Sequence, residues 1–461
     1  MAKAAPTKVL EVCRVAPRLE GTASAAASET SLPLTFFDML WLRFPPVERL
    51  FFYEFPNPPS SFFHSLLPKL KHSLSLTLHH FFPLAGNIIW PPHSPKPFIH
   101  CVSGDGVSLT VAESNADFNV LSSSDYSETQ ESILLVPHLT VSDEKASLMT
   151  LQITLFPNSG FSVGITAHHA AMDGKSSTLF LKAWAYICSE LDESSSCSSL
   201  PENLIPLFDR SVVKEPSGAA EVFSNHWLKE GGPNNRSLML WDMKKTDQVK
   251  RIRGTFQLVP SNIQKLKQIA ESKLNKKVHV STFSVTCAYV LDCLVKSEQT
   301  KQDKLLFAFT ADCRSRLNSP IPPTYFGSCV GAVKAVAETK SLLGNDGFIA
   351  ALEAISDGLK RFEDEGLGEA ERWISDMVSL METHRFCSTA GSPRFEVYGI
   401  DFGWGRPKKV DIVSIGETGA FSLSESKNGN HNGGIEIGLV LNSPEMEAFS
   451  ALFHEGLSSS S

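Results

Sequence analysis

The chain has no apolar run approaching the roughly 18 to 20 residues that a membrane span needs. Met1 to Glu20 mixes Lys, Glu and Arg with short apolar pieces and holds no signal-peptide core. Its nine cysteines are odd in number and never fall in CxxC spacing, which argues against a zinc ribbon or a disulfide framework and fits reduced thiols. No arginine-rich stripe offsets the formal net charge of −8, so nucleic acid is not an expected partner. No period of roughly 20 to 50 residues recurs, which excludes a solenoid or propeller. The expectation is a cytoplasmic protein, 42% apolar and 20% charged, able to bury a core. At 461 residues it is long for a single core, so two domains are expected.

Strands are expected at Val9 to Val15, Phe98 to Val102 and Val107 to Ala112, and Leu121 to Glu131 reads as a surface loop. Leu34 to Trp41 and Arg49 to Phe55 are aromatic-rich and expected inside. Leu66, Leu67, Leu70, Leu74, Leu78 and Phe81 share one helix face, ended by Pro83. Low-complexity residues from Glu190 to Pro201 and the proline-bearing stretch to Gly218 suggest a crossover. The division is therefore 1–200, a linker at 201–225, and 226–461. In the second part Ser281 is placed to cap a buried helix, and Leu305 to Thr310 reads as a strand. Residues Phe348 to Leu380 form a helix broken near Gly366. Strands follow at Phe395 to Tyr398, Val410 to Ile415, Phe421 to Ser426 and Ile435 to Leu441, the last three joined by turns.

The stretch with most chemistry is His168-His169-Ala170-Ala171-Met172-Asp173-Gly174-Lys175. An expected hairpin, Leu151 to Leu155 and Phe161 to Ile165 around Pro157-Asn158-Ser159-Gly160, leads into it, and helical periodicity begins after Ser176. Two imidazoles and a carboxylate thus sit where a strand ends and a helix begins. Four readings stand. His169 could be a general base with Asp173 as its orienting partner. The set could bind a metal, although no third ligand is apparent. Asp173 could instead pair an arginine and hold the loop. Or both histidines could be structural.

A second constellation, Asp401-Phe402-Gly403-Trp404-Gly405, reads as a tight, close-packed turn. HxxxD followed by DFGWG, in this order and in a chain of this length, resembles the plant BAHD acyltransferase family. Phe82-Pro83-Leu84-Ala85-Gly86, Asp209-Arg210, Ser281-Thr282-Phe283 and Asp312-Cys313-Arg314-Ser315-Arg316-Leu317 extend the resemblance over nearly the whole chain. It implies an α/β (α+β) architecture: two domains of chloramphenicol-acetyltransferase-like fold, mixed β-sheets flanked by helices, with a channel between them. It also implies His169 as general base, Asp173 chiefly as loop support, and Asp401, Phe402, Gly403, Trp404 and Gly405 as a structural motif. Acyl-CoA would be a co-substrate, with no permanently bound cofactor, no metal and no acyl-enzyme, so Cys329 is not expected to be a nucleophile. Ser281 and Thr282 match a segment lining the CoA tunnel, and Lys276 and Lys277 could attract its phosphates. The alternative for these four is a helix cap and a solvated basic run.

Tyr325-Phe326-Gly327-Ser328-Cys329 resembles the YFGNC motif of the branch that acylates sugars of anthocyanins, flavonoids and phenolic glucosides, with Ser328 where Asn is usual. The stretches Thr418 to Ser426 and Gly433 to Gly438 resemble its malonyltransferases. Malonyl-CoA and a phenolic glycoside are the substrates this implies. Lys175, Arg314 and Arg316 are candidates for the acyl carboxylate, each set against a surface charge or an ion pair with Asp173 or Asp401. Ser392 stands where hydroxycinnamoyl-transferring relatives carry a tryptophan, which favours a small acyl group. A hydroxycinnamoyltransferase is the alternative, and a non-catalytic binder on the same fold a distant one. The chain is expected to act as a monomer.

Overall fold

The expected hairpin forms two paired strands, Met149–Phe156 and Gly160–Ala167, in register from Phe156 opposite Gly160 to Met149 opposite Ala167. Both are buried along their whole length, so their alternation marks two covered faces. Most of the polar side chains find partners inside, Ser162 Oγ being buried without one. Gln152 Nε2 donates to the Leu134 carbonyl at 2.9 Å and to Thr154 Oγ1 at 3.0 Å. A computed structural model provides this architecture; it describes residues 7–18, 29–191, 199–216, 218–242, 250–274, 280–298, 300–427 and 433–458.

The hairpin lies in a six-stranded mixed sheet ordered Thr7–Val15, Val107–Ser114, Met149–Phe156, Gly160–Ala167, Val47–Glu54 and Lys409–Ile412. A seven-stranded mixed sheet runs Val330–Glu338, Lys304–Asp312, Arg385–Ala390, Phe421–Glu425, Ile435–Asn442, Arg251–Leu258 and Tyr126–Glu128. Helices flank both. Leu67–His80 and Gly174–Glu190 pack together in the first half, where Trp184 Nε1 donates to Ser73 Oγ at 3.0 Å. Thr282–Ser297 packs against Gly347–Glu365 and Ser443–Ser458 in the second. Among the described residues no helix is long and apolar enough to cross a membrane.

Three expectations fail, the first two for long-range reasons and the third for a local one. Leu121 to Glu131 is not a loop. Helix Phe118–Ser123 buries Leu121, and Tyr126–Glu128 adds an edge strand to the far sheet. Tyr126 meets Phe256 edge-on at 6.0 Å and its hydroxyl reaches Ser450 Oγ at 2.8 Å, contacts no local pattern announces. Lys409–Ile412 pairs with Val47–Glu54 in the first sheet instead of joining the two strands that follow it. Phe395 to Tyr398 is not a strand. Pro393 lacks a ladder donor and Glu396 has φ 53°, so two short 3-10 turns, Pro393–Phe395 and Val397–Gly399, stand there. The strand is Arg385–Ala390 instead.

Each of these two sheets therefore borrows a strand from the other half of the chain, and the seam is polar. Arg253, 1% exposed, lies 3.7 Å from Asp411 and donates to the carbonyls of Ile412 at 3.0 Å and Val413 at 3.3 Å. Lys409 Nζ donates to the Ser124 carbonyl at 3.1 Å and lies 3.9 Å from Asp411. Removing one partner of a buried pair strands the other charge, so Asp411→Ala is expected to lower unfolding stability by about 3 to 5 kcal/mol. The exposed pair Lys304–Glu338 gives the contrast, with Glu338→Ala costing about 1 kcal/mol or less. Urea unfolding followed by tryptophan fluorescence checks both; equal midpoints for the two variants would contradict the seam's role.

Candidate active site

Strand Gly160–Ala167 ends at Ala167 and helix Gly174–Glu190 begins seven residues later, so His168 to Asp173 form the connecting loop. His168 is fully buried, and its Nδ1 accepts from the Ala170 N–H at 3.2 Å. Burial, with His169 beside it, pushes its pKa down to about 3. It is a neutral loop-former. His169 is half-buried. Its Nδ1 is sealed from solvent without a good hydrogen-bond partner, whereas Nε2 is neither sealed nor bonded. Burial pushes its pKa down to about 4, opposed by its own backbone carbonyl and by the charge of Asp173. At neutral pH the ring is an unprotonated base with one open nitrogen.

Asp173 does not hydrogen-bond to His169. Its backbone is extended at φ −80°, ψ 178°, the conformation of a helix N-cap, and its Oδ1 accepts from the Ser176 N–H at 2.8 Å. Its Oδ2 accepts from Arg314 at 2.8 Å and from the Cys329 N–H at 3.1 Å. Of the four readings of the loop, the geometry is that of a carboxylate pairing an arginine. The metal reading finds no ligand set: among the described residues, no three His, Cys, Asp or Glu side chains are grouped.

Arg314 is 2% exposed, and both terminal nitrogens are occupied. One meets Asp173 and, at 3.1 Å, Asp312; the other donates to Ser176 Oγ at 3.1 Å and to the carbonyls of Tyr325 at 3.1 Å and Gly327 at 3.3 Å. As a cation free to meet an acyl carboxylate it is corrected to the ion pair set beside that role. Lys175 and Arg316 are more open. Lys175 Nζ pairs with Asp312 at 3.1 Å, both side chains more than a third exposed, and Arg316 donates to the Asp312 carbonyl at 2.7 Å.

The Tyr325–Cys329 stretch forms a shelf under the loop. Ser328 Oγ donates to the His169 carbonyl at 3.4 Å, and the Ser328 N–H donates to the buried Asp38 at 2.8 Å. Arg210 donates to the Tyr325 hydroxyl and the Phe326 carbonyl, both at 2.7 Å, and lies 4.0 Å from Asp38. Gly327 has φ 150°, and a Cβ there would stand 1.8 Å from Arg210, so no other residue fits. Cys329 is fully buried with its thiol pushed up by burial, which suits a packing residue better than a nucleophile.

Asp401, Phe402, Gly403, Trp404 and Gly405 lie elsewhere. Asp401 Oδ1 accepts from the N–H groups of Gly403 at 2.8 Å and Gly405 at 2.9 Å, both with φ near 100°. Phe402 packs edge-on to Trp184 at 4.8 Å and Lys69 sits 5.4 Å over Trp404. Trp184 is three helical turns beyond Asp173, about 16 Å along the axis. Ser281 caps helix Thr282–Ser297, its Oγ accepting from the Ser284 N–H at 3.0 Å, with Thr282 the first helical residue. Lys276 and Lys277 lie outside the described residues. Sequence reasoning missed one neighbour. Trp41 stacks on His169, with ring centroids 4.1 Å apart and planes at 16°. Its only signal was membership of an aromatic-rich stretch expected to be buried.

The Transferase family model matches residues 22–455. Phenolic glucoside malonyltransferase 1 of Arabidopsis thaliana is 40% identical, over 98% of this chain and 97% of its own. Malonyl-CoA:anthocyanidin 5-O-glucoside-6''-O-malonyltransferase of the same organism is also 40% identical, over 97% and 98%. Its agmatine coumaroyltransferase is 37% identical over the same shares. Vinorine synthase shares the fold, with a TM-score of 0.67 at 20% identity over 96% of each chain. With HxxxD and DFGWG intact and these matches spanning nearly the whole chain, the protein belongs to the BAHD acyltransferases of the Transferase family.

Proposed function

We propose that the chain moves a malonyl group from malonyl-CoA to a sugar hydroxyl of a phenolic or flavonoid glucoside, acting as a cytoplasmic monomer. The observation that carries the mechanism is His169: an unprotonated imidazole with Nε2 open, on a loop clamped from behind. Nε2 takes the proton of the acceptor hydroxyl as its oxygen attacks the thioester carbonyl. The tetrahedral intermediate then expels CoA thiolate, which receives the proton from the imidazolium. The effect of such a base is about 10² to 10⁴ in rate. Asp173 acts through the loop. The relatives named for malonyl transfer to glucosides support the donor and acceptor classes.

Ser281 and Thr282, at a helix N-terminus, are assigned to the CoA path together with Lys276 and Lys277. The domain division is placed at 201–225, where Arg210 ties the crossover to the Tyr325–Cys329 shelf. A second reading, hydroxycinnamoyl transfer, is favoured by the coumaroyltransferase relative at nearly equal identity.

Purified protein offered malonyl-CoA or p-coumaroyl-CoA against a panel of phenolic glucosides is expected to yield malonyl esters. His169→Ala should lower turnover at least about 100-fold without changing the circular dichroism spectrum. Coumaroyl products alone would favour the second reading; full turnover by the alanine variant would remove His169 from the mechanism.

With Arg314 occupied, Lys175 and Arg316 are the cations left for the malonyl carboxylate. Lys175→Ala or Arg316→Ala is expected to raise KM for malonyl-CoA by about tenfold, the order of one charge-assisted hydrogen bond. KM for acetyl-CoA, which lacks that carboxylate, should stay unchanged. Equal changes for both donors would count against the assignment.

A further inference from the structure

The reading of His169 as the base leaves its ring orientation unexplained. Neither nitrogen is held by a good hydrogen bond, and Asp173 faces away. The plane is set by a face. Trp41 lies 4.1 Å from the imidazole at 16°, a near-parallel stack. We propose that Trp41 is the positioning residue for the His169 imidazole, its indole fixing the ring plane and shielding one side from water. This rests on His169 being the base.

The indole is itself anchored through a row of rings. Phe44 meets Trp41 edge-on at 5.1 Å and 73°, and Trp241 packs on Phe44 at 4.8 Å. Trp241 Nε1 donates to Glu230 at 2.6 Å, and its N–H to the Arg43 carbonyl at 2.8 Å. Glu230 in turn pairs with the buried Arg43 at 2.9 Å. By contrast, Trp41 Nε1 is sealed from solvent without an acceptor. A buried indole N–H ordinarily finds one, so here ring contacts, not the polar atom, place the side chain.

The stack has a chemical consequence. As His169 accepts the hydroxyl proton it becomes a cation lying against the electron-rich indole face, which favours that state over the neutral one. Few charges compete. Asp173 is paired with Arg314, His168 is held neutral by burial, and Arg43 on the Trp41 side is paired with Glu230. Shielding acts in the opposite direction, since a dry ring resists protonation. Burial is the largest influence on His169, so opening its face to water should make the ring more basic.

Full-length Trp41→Phe and Trp41→Ala are compared with wild type by titration of the His169 ring in proton–carbon NMR, its signal assigned by its loss in His169→Ala. kcat and KM for malonyl-CoA are measured alongside. Trp41→Phe, which keeps a flat face, should hold the wild-type midpoint and kcat within about threefold. Trp41→Ala should raise the midpoint toward the ordinary value of about 6.5. It should also lower kcat about tenfold or more while KM stays within about twofold, as expected for a misplaced catalytic group. If Trp41→Ala fails to fold, Trp41→Leu, apolar but not flat, takes its place, with the same loss of kcat expected. An unchanged midpoint or an unchanged kcat in Trp41→Ala overturns the proposal, as does an unchanged kcat in Trp41→Leu. If no variant, wild type included, transfers an acyl group, the proposed function falls, and the NMR titration alone decides Trp41.

Discussion

The site depends on one buried ion pair. Asp173 comes from the first half of the chain, at the start of helix Gly174–Glu190, and Arg314 from the second, just past strand Lys304–Asp312. Taking two such charges out of water is costly, and their attraction offsets that cost only when the remaining donors and acceptors are satisfied. Here nearly all are. The carboxylate takes the N–H groups of Ser176 and Cys329, and the guanidinium reaches Ser176, Tyr325, Gly327 and Asp312. A pair that breaks when the halves separate also fixes where the halves meet. The loop from His168 to Asp173 is defined at that meeting point.

The surrounding features follow from it. The Tyr325–Cys329 shelf must come close enough for Cys329 to donate to Asp173 and for Ser328 to reach the His169 carbonyl, which requires the glycine at 327. Asp38 and Arg210 support the shelf from its other side. Exchange of Tyr126–Glu128 and Lys409–Ile412 between the sheets, with Arg253 and Asp411 at the seam, repeats the same device away from the chemistry. Two sheets joined at several buried polar contacts hold a shared site more rigidly than sheets joined by a linker alone.

Local pattern made some of this legible. His169 at a strand end, Asp173 before a helix and Ser281 as a cap are features whose causes lie within a few residues, and each stands where spacing placed it. The helix face Leu66, Leu70, Leu74, Leu78 and Phe81 is wholly buried for the same reason. Partners could not be read that way. Arg314 was legible as a cation, with an ion pair to Asp173 set beside a carboxylate-binding role, but local pattern could not choose between the two, because that choice is made where two distant strands end. The short strand Tyr126–Glu128 looked like loop because its ladder partner, Arg251–Leu258, lies more than a hundred residues on. Trp41 carried no mark distinguishing a ring stacked on His169 from one in the core.

The central claim is that Asp173 serves His169 only by clamping the loop through Arg314. A double-mutant cycle on kcat/KM with Asp173→Ala, Arg314→Ala and the pair tests it most directly. If the clamp is the whole role, the double variant should be no slower than the worse single variant, giving a coupling of about 2 to 3 kcal/mol. Losses that multiply, with no coupling, would mean that Asp173 acts on the imidazole independently of Arg314 and would contradict the account.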